Sequence, residues 1–345
     1  MDEHQPDEEA DGKIEALVKR LLPAARTLDS VSKSVAAVSR RVFPAGIDCI
    51  GELLKKKTSD FQLGRMVNEN EIRGMTIESR ALDQVVEKQE RFEKIVLDAI
   101  GHLAKKLERR STNPDAKGAK TGGREFDYDW FEVFRSEATK RSLGDWREAF
   151  VRILAREMET PGTFSIKTLF TLGQLNFGTA QTFKRAAEVS LSLCRKGDDG
   201  IRDARLPSSE GRLGQGFLTR YGLAYDDLLV LVEHGLIHEK FTSCGDYRSA
   251  ITNSRVNSDI ICHRGMKWVL VSNKQPTRQP LWVEGAAFTR VGRELFGITE
   301  IEPEFEPRQD AIEELRAIFR LKGFEMMELR QWEAFQEDNS PNLRE

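Results

Sequence analysis

Cysteine is scarce. Four residues, Cys49, Cys194, Cys244 and Cys262, lie far apart in 345, so no disulfide framework follows and a reducing cytoplasm is the expected compartment. Long apolar runs are missing too. The longest, Leu228–Val232, is far short of the roughly 20 residues that span a bilayer, so no transmembrane segment is expected. The first twelve residues hold six acids and no lysine or arginine, which excludes the basic start of a secretory signal. An excess of one charge is also lacking. Basic residues number 53 and acidic residues 56, so no global field draws the chain to nucleic acid.

The frames of common chemistries are absent as well. Gly118-Ala119-Lys120-Thr121 lacks the glycine spacing of a phosphate loop, and Gly214-Gln215-Gly216 follows no strand. His234 and His238 have the spacing of two ligands on one helix face, but Gly235-Leu236-Ile237 between them reads as a helix end. Cys262-His263 belongs to no paired knuckle, and there is no Gly-x-Ser-x-Gly elbow. Asp226-Asp227 and Glu302, Glu304 and Glu306 read as solvated charges. No catalytic residue, metal or cofactor is expected, and the reading leans away from an enzyme.

What is present is charge and helical spacing. Charged residues make up 32%, above the roughly 25% of an ordinary globular chain, which points to long solvated helical faces. Residues 1–12 read as a disordered acidic tail. Residues 13–57 hold ten basic residues against four acids. Within them Leu28, Val31, Val35, Val38 and Val42 form one helical stripe.

A longer helix is expected over 66–110. Leu82, Gln89, Val96 and Leu103 recur every seven residues, as do Val85, Phe92 and Ala99, the two series offset as in a coiled coil. Self-association and packing within one monomer both fit this pattern. Residues 111–124, rich in glycine, proline and small polar side chains, read as a flexible linker after a helical arm over 13–110.

A helical bundle is expected over 125–195. Trp130, Phe131, Phe134 and Ala138 mark its first helix, and Trp146, Phe150, Ile153 and Leu154 its second. Ser165 caps a third, and Thr179 caps a fourth running to about Cys194. Arg195 to Gln215 reads as a surface loop. An α+β region over 211–332 follows, with a helix from Ala224 to His234 and strands at 267–271 and 281–283. A short helix from Thr289 comes next, then a helix opened by Pro307, closed by Gly323 and striped by Ile312, Leu315, Ile318 and Phe319. A last strand is expected over Met326–Trp332 and a frayed tail over 333–345. The fold expected is mainly α, with a long helical N-terminal arm, a helical bundle and a smaller, winged-helix-like α+β end.

Several of these residues carry a resemblance. They are Trp130, Ala138 and Trp146, Ile153-Leu154-Ala155-Arg156-Glu157, and Pro161-Gly162-Thr163-Phe164-Ser165. Leu231-Val232-Glu233-His234-Gly235-Leu236-Ile237 and Phe288-Thr289-Arg290-Val291-Gly292-Arg293-Glu294-Leu295 join them. Together they resemble the bacterial domain of unknown function numbered twenty-eight hundred and six, over about residues 75–325. Phe150 and Val151 stand where that family usually has tryptophan and alanine. The resemblance implies a bacterial source and a shared fold, and no catalytic residues.

The function expected is that of a non-enzymatic interaction or scaffold protein, with a protein partner or self-association through the 66–110 helix. Its general build also fits a role in defence against phage. The alternative is nucleic-acid binding through the basic arm (Lys19, Arg20, Arg26, Lys33, Arg40, Arg41) or the linker cations (Arg109, Arg110, Lys117, Lys120, Arg124). The helix at 225–233 carries Asp226, Asp227 and Glu233 and no lysine or arginine. It would repel phosphate, and it reads as a packing or protein-docking element.

Overall fold

The computed structural model describes residues 87–88, 91–103, 127–140, 144–196, 200–208, 217–252, 258–272, 279–300 and 309–338. The chain divides into two units, residues 1–173 and 174–345.

Aromatic side chains assemble the first unit. Helix α1 (91–103) buries Phe92, Val96, Ala99 and Leu103. Asp127 caps α2 (Tyr128–Thr139), its carboxylate accepting from the amides of Asp129 at 2.9 Å and Trp130 at 3.3 Å. Those are two of the donors a helix start leaves unpaired. Trp130, Phe131, Phe134 and Ala138 then fall on one buried face. Phe92 stands edge-on to Phe131 and Phe134, with centroids 5.6 and 6.4 Å away. Phe150 of α3 (Gly144–Glu159) meets Phe134 edge-on at 5.7 Å. The described part of the heptad-like series is therefore buried within its own unit, while Leu82, Val85 and Gln89 lie outside the described residues.

Glu157 closes the turn into α4 (Ile166–Gln174). Its buried carboxylate accepts from the amides of Gly162 at 2.5 Å and Phe164 at 2.9 Å. Ser165 Oγ accepts from the Thr168 amide at 3.4 Å, as a cap does.

The second unit is built on a sheet. In chain order it comprises α5 (Phe177–Glu188), β1 (Leu191–Arg195), β2 (Ile201–Pro207), α6 (Phe217–Arg220), α7 (Tyr225–Glu233), β3 (Cys244–Asp246), β4 (Asp259–His263) and β5 (Met266–Val271). Then come β6 (Trp282–Ala287), α8 (Arg290–Glu300), α9 (Gln309–Leu321), β7 (Glu325–Glu328) and α10 (Leu329–Asp338). The seven strands lie in the order β3-β6-β2-β1-β4-β5-β7, every neighbouring pair antiparallel.

Alternation along the strands sends side chains to two covered faces. Leu191, Leu193, Ile261, Trp268 and Leu270 meet Ile312, Leu315, Ile318 and Phe319 of α9 on one face. Cys194, Ile260, Cys262 and Val269 meet Leu329 and Trp332 of α10 on the other. Helix α8 packs on β2 and α5, and α7 packs on α5.

This architecture overturns the mainly α expectation and its winged-helix-like end. The helices do not form one bundle over 125–195, because α5 belongs to the second unit with the sheet. The fourth helix stops at Glu188, capped by Asn176 rather than Thr179, and β1 occupies the stretch up to Arg195. The expected loop after Arg195 contains β2, a strand with neighbours on both sides. The last strand ends at Glu328, and a helix replaces its second half. The segments at 267–271 and 281–283 belong to β5 and β6 of the large sheet, each with a neighbouring strand on both sides, where a wing would be a free-standing hairpin.

Candidate functional site

The longest apolar run in the chain lies in α7, and the fold leaves one side of it uncovered. Leu228 and Leu231 are fully buried. Val230 and Val232 are half-buried. Tyr225 is 53% exposed and Leu229, one turn on, 42% exposed. Phe241, half-buried, stands edge-on to Tyr225 with centroids 5.8 Å apart. Tyr225, Leu229 and Phe241 thus make an apolar ridge. Around it stand the exposed acids Asp226, Glu233 and Glu239, none of which has an ion pair among the described residues. Some other carboxylates of this unit are matched, Glu294 with Arg290 and Glu314 with Arg220.

The ridge stands on a fixed base. Asp227 accepts from the Ala224 amide at 2.9 Å and lies 3.6 Å from Arg185 of α5. Gly235, at φ +65°, takes the left-handed turn that ends the helix. The Thr289 hydroxyl donates to the Gly235 carbonyl at 2.6 Å and accepts from the Gly292 amide at 3.0 Å. The Thr289 amide donates to the Leu236 carbonyl at 3.0 Å. A Cβ at Gly292 would overlap that same carbonyl, so only glycine admits the approach. Two segments of the resemblance, Leu231–Ile237 and Phe288–Leu295, are therefore the halves of one clasp.

The strongest polar constellation lies elsewhere, on the α9 side of the sheet. The buried Arg205 guanidinium donates to Asp203 at 2.7 Å and to the carbonyls of Ser243 at 2.9 Å and Val283 at 3.0 Å. The Tyr247 hydroxyl, fully buried, donates to the same Asp203 oxygen at 3.0 Å. Burial, then the Asp203 charge, hold the Tyr247 phenol well above the ordinary phenol range. Burial works against the Arg205 charge, but the Asp203 hydrogen bond and the neighbouring charges outweigh it and raise its pKa. Neither group accepts a proton at neutral pH, so the cluster acts as a strut fastening β3 and β6 to β2.

His263 is fully buried, with Nδ1 2.8 Å from the Ser190 carbonyl. Burial lowers its pKa to about 4, with the Ser190 bond opposing and the Arg264 charge assisting. His234 and His238 do not share a helix face, since α7 ends at Glu233 and the His234 ring turns back to the Val230 carbonyl at 2.9 Å. Among the described residues no cluster of histidine, cysteine or acid side chains could hold a metal ion. No helix among them is long and apolar enough to cross a membrane.

The candidate cations Lys19, Arg20, Arg26, Lys33, Arg40, Arg41, Arg109, Arg110, Lys117, Lys120 and Arg124 lie outside the described residues. The sequence signals α7 through its apolar run. Nothing local signals the role of Asp203, Arg205, Tyr247 or Phe241: beyond the Asp203–Arg205 pair on one strand, their partners come from distant segments.

The fold defines the second unit as an α+β protein with a two-sided antiparallel sheet and a clasped, part-exposed helix at its margin. A family model described as a protein of unknown function, DUF2806, matches residues 76–307, and the chain belongs to that family. No curated protein and no solved structure matches it.

Proposed function

We propose that this chain is an interaction protein that docks a protein partner on the outer face of α7. The observation that carries the reading is the Tyr225–Leu229–Phe241 ridge, an apolar surface held on a clasped backbone. Single exposed apolar residues are ordinary, whereas a contiguous ridge with a polar rim is the anatomy of a protein contact. The ridge supplies aromatic side chains, which dominate binding energy in such contacts. Its acidic rim disfavours nucleic acid at this face.

A photo-crosslinking amino acid placed at Leu229 in cells of the source tests this. The expected result is one discrete protein adduct at that position and none from a control at Lys322, on an exposed turn. No adduct at 229, or the same adducts at both positions, would end the reading.

A further inference from the structure

The rim of the α7 ridge specifies the chemistry of the partner. Asp226, Glu233 and Glu239 project into solvent without a cation, in a unit whose other carboxylates include matched ones such as Glu294 and Glu314. Three unmatched acids outnumber the one exposed base beside the ridge, Lys240 next to Phe241, and a rim that is negative on balance favours an apolar surface edged with positive charge and repels one edged with acids. The shape of the site adds a second condition. A helix has no spare backbone donors or acceptors along its side, so an extended strand would gain no main-chain bonds here. Side chains on a second helix can straddle a ridge such as Tyr225 and Leu229, as ridges fit grooves between packed helices.

We infer that the partner presents a basic amphipathic helix. Its apolar residues lie against Tyr225, Leu229 and Phe241, and its lysines or arginines lie opposite Asp226, Glu233 and Glu239. The inference rests on the docking reading of α7 and goes beyond it in naming the charge and secondary structure of the occupant. The ridge at Ile166 and Phe170 of α4 is also exposed. It has the exposed Lys167 between its members and no comparable acidic rim.

The test uses the full chain and two fluorescein-labelled helical peptides. Both carry leucines at the same i, i+3/i+4 positions; one has lysines along the flanks and its twin has glutamates. Fluorescence anisotropy should show the lysine peptide binding about 10-fold or more tightly than its twin, and weakening as salt rises. Leu229→Ser should abolish that binding. Asp226→Lys combined with Glu233→Lys should reverse the preference between the peptides. Equal affinity for both peptides, each lost on Leu229→Ser, would overturn the basic-helix inference and leave the docking surface standing. Binding of the lysine peptide that survives Leu229→Ser, or no binding of either peptide, would also overturn it. The crosslink from position 229 decides the docking reading separately.

Discussion

Helices α7 and α9 belong to one unit, and both are rich in apolar residues, yet the fold treats them in opposite ways. Along α9 the apolar residues are mostly spaced: Ile312, Leu315, Ile318 and Phe319 form one stripe taken up by the sheet, and Leu321 at the helix end is left exposed. Charges fill the intervening positions, as with Glu313 and Arg316, paired at 2.6 Å. Along α7 the apolar residues are consecutive. At roughly 100° per residue a five-residue run wraps past a full turn. One neighbouring surface can take only part of it: Leu228 and Leu231 go inward, and Leu229 is left outside. Spacing encodes burial, while contiguity leaves a surplus.

The comparison breaks if the two helices respond alike to truncation. Phe319→Ala removes a ring with no exposure from the covered face and should cost about 3–5 kcal/mol in denaturant unfolding. A loss below about 1 kcal/mol would mean that α9 is not the lid the geometry describes.

The next effect concerns how completely that covered side excludes water. His263 has a folded pKa of about 4, against 6.5 in the open chain, so the native state favours the neutral ring. Its contribution is whole above pH 6.5 and is lost as the pH falls toward 4. It amounts to about 3 kcal/mol on the linkage scale. Between pH 7 and 4 the wild-type chain should therefore lose about that much more stability than His263→Gln. Parallel curves for the two proteins would show the imidazole to be solvated.

The smallest effect is expected on α7. Leu229→Ser should change unfolding stability by no more than about 0.5 kcal/mol, as surface substitutions do. A loss of several kcal/mol would place Leu229 in the core and erase the contrast.

The helices were legible in the sequence wherever spacing and burial agree. The α9 stripe and the Trp130–Ala138 face of α2 were read residue by residue, because helical periodicity is a local signal. Strands β5 and β6 were legible from their bulky residues. Strand β2 was not. Its sequence, Ile201 to Pro207, carries Asp203 and Arg205, which read as a surface loop. They are satisfied by Tyr247 and by carbonyls at Ser243 and Val283, groups 38 to 78 positions away. The ionic pair is local, but the long-range hydrogen bonds that make its burial tolerable leave no trace in a window of a dozen residues. The same holds for β4, where Asp259 and His263 are both fully buried. Of the candidate site, the acidic charge and apolar content of α7 were visible beforehand; the exposure of Leu229 and the ring of Phe241 needed the fold.

The two outermost strands carry a consequence for how this molecule meets others of its kind. Strand β3 is three residues long and β7 four, and β7 begins and ends in glutamate. Strands so short offer an incoming chain almost no ladder to extend, and charge at a border further discourages runaway stacking. Fibrous aggregation by sheet extension is thereby disfavoured at both borders.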